Sequence, residues 1–583
     1  MYKFLSILLL LFSTGVRAQD VSVTPVLPDS DMQYCLPLDM EPFLAGNFGE
    51  LRNNHFHAGL DFKTQSTVNH PVRAFADGYV CRAGINAYGY GLVLYVRHPQ
   101  YNLTSVYAHL NGFSAEIYNK VRARQAEMEE NNPQIWFEPD ELPVRMGDII
   151  AQSGNTGSSG GPHVHFELRD CNDDDDAFYN PMPFFADSIA DHKPPRASHV
   201  YLYPLGGWAN GQGVRQSAAV IVQQSGRRTL NRTFTAWGRV GLGIKAYDYM
   251  ENQSNTYGVT SIKLFMDDRL IYSFSCRGFR HSECRFTNSL TDYPAWINQR
   301  SLIQKSFIEP GNRLQMIDRS LGDGSFVIDE ERLYQFRYEL SDAHGNKSEV
   351  SFSIKGKKET RTNTNPIWSD LPSGTRTEKG VLVRSQEPFR LDTLGCRISI
   401  EPGNLYSDAV LPFRRTVAAE NVKPGVSDIY TIGDVCVPIH GSISISIPIP
   451  QSYADTLTCP EQLYIVNADG GYVGGEYRDG AVHADVNTFG RYMVRRDSTR
   501  PTAAFTSLTW HRGNLSLSDS GSGIRSYKVF IDGHFVPFDM NRYGRRYGYP
   551  IHFGIEKGKT HEIVIHVVDN CGTESVIETK KYF

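Results

Sequence analysis

Three clusters hold the residue types that could do chemistry: His57-Ala-Gly-Leu-Asp61, Tyr107-Ala-His109-Leu110, and a glycine-rich run that ends Gly161-Pro-His163-Val-His165-Phe-Glu167. Imidazole nitrogens and carboxylate oxygens are zinc ligands, taken up at about 2.0–2.2 Å in a tetrahedron. Residues i and i+2 of a strand point the same way, about 6.6 Å apart. If Val164–Leu168 is a strand, His163 and His165 therefore face one site, while Val164 and Phe166 face a core. His57 and Asp61 would lie about 13 Å apart if fully extended, too far to share an ion. A bend between them is required, and Gly59 permits it. Three protein ligands and one open position form the pattern of a catalytic zinc, which also needs partners for an attacking water and a developing oxyanion. His109 and His163 are best placed for that work. His109 ends an apolar run where a core residue would be Leu or Val, and His163 is one alternation from a candidate ligand.

The elements that must position these groups read as β structure. Gly91–His98 and Thr104–Leu110 have strand patterns, with a turn between them at Pro99–Asn102. Ala115–Asn131 has helix-forming composition and mixed charges, the one clear helix in this region, and reads as an insertion on a β scaffold. The glycines from Gly154 to Gly161 let a peptide chain approach the backbone closely. His55 forms a second His-x-His pair with His57; it is read as supporting or surface. His98 is read as structural, and Glu167 as a strand-face or supporting group rather than a ligand.

HAGLD, YAHL and GNTGSSGGPHVHFEL, with the glycines of AFADGYV and GYGLVLYVRH, resemble the lysostaphin/LytM-type zinc endopeptidases. That family's patterns run HxGxD, YaHL and GnTG-x-S-x-GPHlHFE. The resemblance covers residues 45 to 185. It implies Zn2+ held by His57, Asp61 and His165, with His109 and His163 as the catalytic histidines that polarise water and stabilise the tetrahedral intermediate. It also implies a small, open antiparallel β-sheet with the site in a groove, and peptidoglycan peptides as substrate. The stretch between Leu110 and Gly147 is longer than the family has there, so the insertion at about 113–145 is expected to wall or cap the groove.

The whole chain is expected to be mainly β: an N-terminal open-sheet metallopeptidase domain followed by β-sandwich, Ig-like modules. The 583 residues exceed what one core supports. Residues 1–18 read as a signal peptide, with Lys3, an apolar run from Phe4 to Phe12, and a cut after Ala18. The peptidase domain is set at 19–190, and a β-rich block of unassigned fold at 358–498. An internal repeat sets the others. Gly258–Asp267 matches Gly523–Asp532, and Leu340–Ser348 parallels Val567–Ser575, each running a strand into Asp and a glycine turn. Two Ig-like modules at 191–357 and 499–583 follow, lacking any clustered His, Cys or carboxylate set in the sequence and expected to dock on the wall or on envelope proteins.

A net charge of −5 excludes a global basic field, so nucleic acid is not an expected partner. No stretch after the leader is apolar for about 18 residues, so no transmembrane segment is expected in the mature chain. The protein is expected to be exported and periplasmic or associated with the cell envelope. None of the nine cysteines forms a CxxC pair; Cys276 and Cys284 are the nearest pair, across a hairpin. Asp173–Asp176 is read as a solvated loop rather than a calcium site. Two competing functions are a non-catalytic LytM-like activator of cell-wall amidases, opposed by all five positions being intact, and a surface adhesin or scaffold carried by the β modules.

Overall fold

The computed structural model describes residues 23–24, 26–171, 177–360, 372–417, 425–540, 546–548 and 555–583. The signal-peptide reading and the Asp173–Asp176 loop lie outside them. Among the described residues, no helix is long and apolar enough to cross a membrane.

The expected β architecture is what forms. The N-terminal sheet is antiparallel, in the order Leu44–Gly46, Leu60–Lys63, His163–Asp170, Leu103–Leu110, Leu92–His98, Gly78–Ile85, Gln134–Trp136. Alternation explains its packing: Val164, Phe166 and Leu168 are fully buried in the core. Phe75, Phe166 and Phe185 pack with ring centroids 5.6–6.1 Å apart. Asn102, in the left-handed region at φ 54°, closes the turn after Pro99–Tyr101.

The insertion forms the helix Ala115–Met128, then Gln134–Trp136 and Pro143–Val144, both paired to Gly78–Ile85. The helix carries Arg122, whose guanidinium makes two hydrogen bonds to Asp539 near the C terminus, at 3.0 and 2.6 Å. Asn131 donates to the Tyr527 carbonyl and accepts from the Phe538 N–H.

The chain's first core runs without a break from Leu38 through Ile354. Gly278–Phe279 pairs with Phe178–Tyr179 and extends the N-terminal sheet. Phe279 is fully buried against Phe48, Phe56 and Phe178, at 5.1–5.3 Å between ring centroids. The two repeat copies differ in detail. Residues 502–582 build two four-stranded sheets over a core of their own. In the first copy the long strand Phe234–Tyr247 pairs both with Arg196–Pro204 and, in parallel, with Lys347–Gly356, which joins the layers into one sheet. Between the copies, a separate core from Val381 to Val494 lies among two five-stranded sheets. All nine cysteines are free, so Cys276 and Cys284 form no bond.

Candidate metal centre

Strand register brings the distant residues together. His165 stands opposite Asp61 on one side and Ala108 on the other. His57 lies in the bend before Leu60–Lys63. Gly59 serves there mainly by its lack of bulk: a Cβ would sit 2.1 Å from the Phe166 carbonyl oxygen. The candidate ligands His57, Asp61 and His165 are buried, and one donor atom from each lies within 4.8 Å of the others.

The donor set fits a cation. His57 donates from Nδ1 to the Asn47 carbonyl at 2.7 Å, which turns the Nε2 lone pair inward. His165 donates from Nε2 to Glu167 Oε1 at 2.7 Å, which turns the Nδ1 lone pair inward. These two nitrogens are 2.8 Å apart, and Asp61 Oδ1 lies 3.0 and 2.8 Å from them. Two lone pairs and a carboxylate oxygen thus converge with their protons committed elsewhere, an arrangement that positive charge between them stabilises. The proton affinities say the same. Burial pulls His165 down, but its hydrogen bonds to Asp61 and Glu167 outweigh this and raise it to about 9. Burial lowers His57 to about 4, with Asp61 opposing. Asp61 is held well below the carboxylate range: burial pushes it up, but the charge of His57 and the histidine hydrogen bonds prevail.

Arg52, Glu50, Tyr90 and Arg169, absent from the sequence reading, complete the site together with Glu167, which was read as a supporting group. Arg52 donates to Asp61 Oδ2 at 2.8 Å, which leaves Oδ1 to the histidines. Beside it, burial pushes the Glu50 carboxyl up to about 7 against the pull of Arg52. Glu167 accepts from Tyr90 at 2.6 Å and from Arg169 at 2.7 Å; burial raises its pKa, but Arg169 and His165 bring it to about 2, so it is charged where it holds His165. Arg52 reaches the site from the hairpin of Leu51–Arg52 with His55–Phe56 and Tyr90 from the turn before Leu92–His98, and no local spacing marks them. His55 is exposed, and its Nδ1 bonds to the Asn53 carbonyl. His98 is structural, bonded to the Asp77 carbonyl and Ser105.

The two candidate catalytic histidines stand together, their rings 4.7 Å apart, and His109 is 5.9 Å from His165. The glycine run orients both: His109 Nδ1 donates to the Thr156 carbonyl at 2.9 Å, and His163 Nδ1 to the Gly161 carbonyl at 2.8 Å. His163 Nε2 lies 3.4 Å from Asp61 Oδ1. Burial, reinforced by the neighbouring His163 and His165, lowers His109 to about 3, so it is neutral at pH 7. The glycines divide by role. Gly154 and Gly157 are required by packing, since a Cβ would meet backbone at 2.4 and 2.3 Å, whereas Gly160 and Gly161 face open space. Next to this loop a cavity of about 330 Å³ is lined by Asn111, Phe113, Thr156 and Gly157, by Tyr118 of the insertion helix, and by Tyr547. The insertion therefore walls this cavity.

Residues 55–129 match the family model described as Peptidase family M23, and residues 381–497 match that of a Zu5-like domain. The M23 match ends just past the insertion helix, ahead of His163 and His165. The DD-carboxypeptidase/endopeptidase Mpg of Neisseria meningitidis is 33% identical over 113 residues, 19% of this chain and 20% of that protein. Glycyl-glycine endopeptidase ALE-1 of Staphylococcus capitis is 30% identical over 132 residues, 23% of this chain and 30% of that protein. The chain thus spans a fifth to under a third of the length of these relatives. Among solved structures, the catalytic domain of lysostaphin from Staphylococcus simulans aligns at 24% identity and a TM-score of 0.18, over 24% of this chain and 89% of that one. This chain carries a Peptidase family M23 domain at residues 55–129, similar to those of the lysostaphin/LytM-type peptidases named above.

Proposed function

We propose that the protein is a zinc metalloendopeptidase that hydrolyses peptide cross-links or stem peptides of bacterial peptidoglycan, acting outside the cytoplasm. The observation that carries this reading is the convergence of His57 Nε2, His165 Nδ1 and Asp61 Oδ1, each with its other polar atom tied to a separate partner. When bound there, zinc supplies Lewis acidity toward a carbonyl and lowers the pKa of water. The chain's own residues supply the rest. Neutral His109 keeps its proton on Nδ1 against Thr156, so its Nε2 can take a proton from the attacking water and return it to the leaving amine. His163, held through Nδ1 by Gly161, offers its Nε2 edge as a hydrogen-bonding group for the developing oxyanion when that nitrogen carries a proton. The open backbone at Gly160–Gly161 and the cavity beyond Thr156 give an extended peptide a place to lie. The modules at 191–357 and 499–583, read as Ig-like, carry the domain and present it to the wall.

The test is mass spectrometry of purified muropeptides incubated with the wild-type chain, with His109→Ala, and with wild type after chelation. A new peptide product that needs both metal and His109 is expected. Identical muropeptide profiles in all three reactions count against hydrolysis and favour the amidase-activator reading.

A further inference from the structure

The internal repeat contains something the peptidase reading does not use. Asp191, Asp248 and Asp342 in the first copy each place one carboxylate oxygen within 4.8 Å of the others, and so do Asp497, Asp519 and Asp569 in the second. The positions correspond. Asp191 and Asp497 each lie five residues before the copy's first strand, which begins at Arg196 and at Thr502. Asp248 and Asp519 directly follow the strand paired to that first one. Asp342 and Asp569 are the aspartates of the matched Leu340–Ser348 and Val567–Ser575 segments.

The local bonding also corresponds. Asp191 Oδ1 accepts the N–H of Lys193, and Asp497 Oδ1 that of Thr499. Asp342 Oδ1 accepts the N–H of Asn346, and Asp569 Oδ1 that of Thr573. One oxygen of each is thereby fixed; the second oxygen of Asp342 also accepts from Asn346 Nδ2 and that of Asp497 from the Ser522 N–H, while those of Asp191 and Asp569 are left for the cluster.

Buried oxygens without partners point to a ligand. Asp248 Oδ1 and Asp191 Oδ2 in the first cluster, and Asp569 Oδ2 in the second, have no hydrogen-bond partner, and these residues are 1%, 3% and 0% exposed. A buried carboxylate oxygen without a partner is strongly destabilising unless a cation or proton compensates it. Among the described residues, no lysine or arginine pairs with any of the six aspartates. His344 Nδ1 stands 3.5 Å from Asp191 Oδ2 in the first copy, and no such histidine pairs with the second.

We propose that each repeat copy binds a calcium ion through its three aspartates, Asp191/Asp248/Asp342 and Asp497/Asp519/Asp569, at the end of the sheets where the copy begins. An all-oxygen donor set selects a hard cation, and calcium tolerates irregular oxygen geometry where magnesium demands a near-ideal octahedron. In each copy the ion would tie the lead-in segment to two strand ends. This fastens the copy to the segment before it: the peptidase domain in one case, the Zu5-like block in the other.

The test uses the full chain with zinc in place. Equilibrium dialysis against millimolar calcium, read by elemental analysis, is expected to give about two calcium ions per chain, one for each cluster. Asp569→Asn is expected to retain about one, and the double variant Asp342→Asn/Asp569→Asn none, with zinc content unchanged. Thermal unfolding of wild type covers the case in which a variant fails to fold: millimolar calcium is expected to raise the midpoint by several degrees, and equal magnesium by much less. Calcium retained by the variants, or a wild-type midpoint indifferent to calcium, overturns the proposal. If the aspartates only share protons with one another and with His344, Asp248→Asn stabilises the metal-free chain while calcium does nothing, which overturns it as well.

Discussion

His165 owes its orientation to a chain of buried polar contacts: Glu167 holds its Nε2, and Arg169 and Tyr90 hold Glu167. Removing the charge from the middle of that chain leaves His165 in place but less basic and less firmly aimed. Glu167→Gln is therefore expected to weaken metal binding about 10–100-fold, measured by competition with a chromogenic chelator, while far-UV circular dichroism stays unchanged. His98 makes a different kind of prediction. Burial holds its pKa at about 4, below the ordinary 6.5, so the unfolded chain binds its proton first as pH falls. Its contribution is complete above pH 6.5 and is lost as pH falls toward 4, with an upper bound of about 3 kcal/mol. His98→Gln should flatten the dependence of denaturant midpoint on pH across that window; an unchanged slope would show that His98 is not the titrating group. At this scale the sequence was legible where alternation governs. His163 and His165 share a face because they are two apart in a strand, and His109 stood out as polar at the end of an apolar run. Arg52, Tyr90 and the Asn47 carbonyl were not legible, because each reaches the site through backbone pairing or loop packing that no local pattern encodes.

The insertion is the element that sets this chain apart from the pattern its motifs resemble. Its helix was readable from composition, and its position between two strands of the sheet from the motifs on either side. Its partner was not, since Arg122 and Asp539 are 417 residues apart in sequence. That ion pair is mostly buried, with side chains 16% and 23% exposed, so removing one member strands the other. Arg122→Ala is expected to cost about 2–4 kcal/mol of the contact between insertion helix and C-terminal copy. It should appear as faster limited proteolysis within residues 499–583, with zinc content preserved. Asp539→Ala should have a similar effect, and the double variant less than the sum, because both remove one interaction. Because Tyr118 and Tyr547 line the same cavity, loosening this contact should also raise KM for a muropeptide substrate more than it lowers kcat.

For the molecule as a whole, the repeat was legible as matched strand-and-turn segments, and it revealed two related copies. Their aspartate triads were not legible as clusters, because neighbouring members are 22 to 94 residues apart and meet only when the strands pair. Nor did the sequence disclose how far the first copy merges with the peptidase domain. Phe279 is the clearest sign of that merger. Phe279→Ala removes a side chain wedged among three phenylalanines from the other side of the junction, and is expected to cost about 3–5 kcal/mol in equilibrium unfolding. A chain ending at residue 190 should consequently aggregate, whereas one ending at residue 360 should remain monomeric and keep its metal. Asn47 states the same dependence most compactly. Its main-chain carbonyl aims His57, while its side-chain amide donates to the Gly258 carbonyl and accepts the Gly258 N–H. One residue thus joins the His57–Asp61–His165 cluster to a turn in the neighbouring module. A change in the module beside it can therefore reach His57 without touching any residue of the motifs.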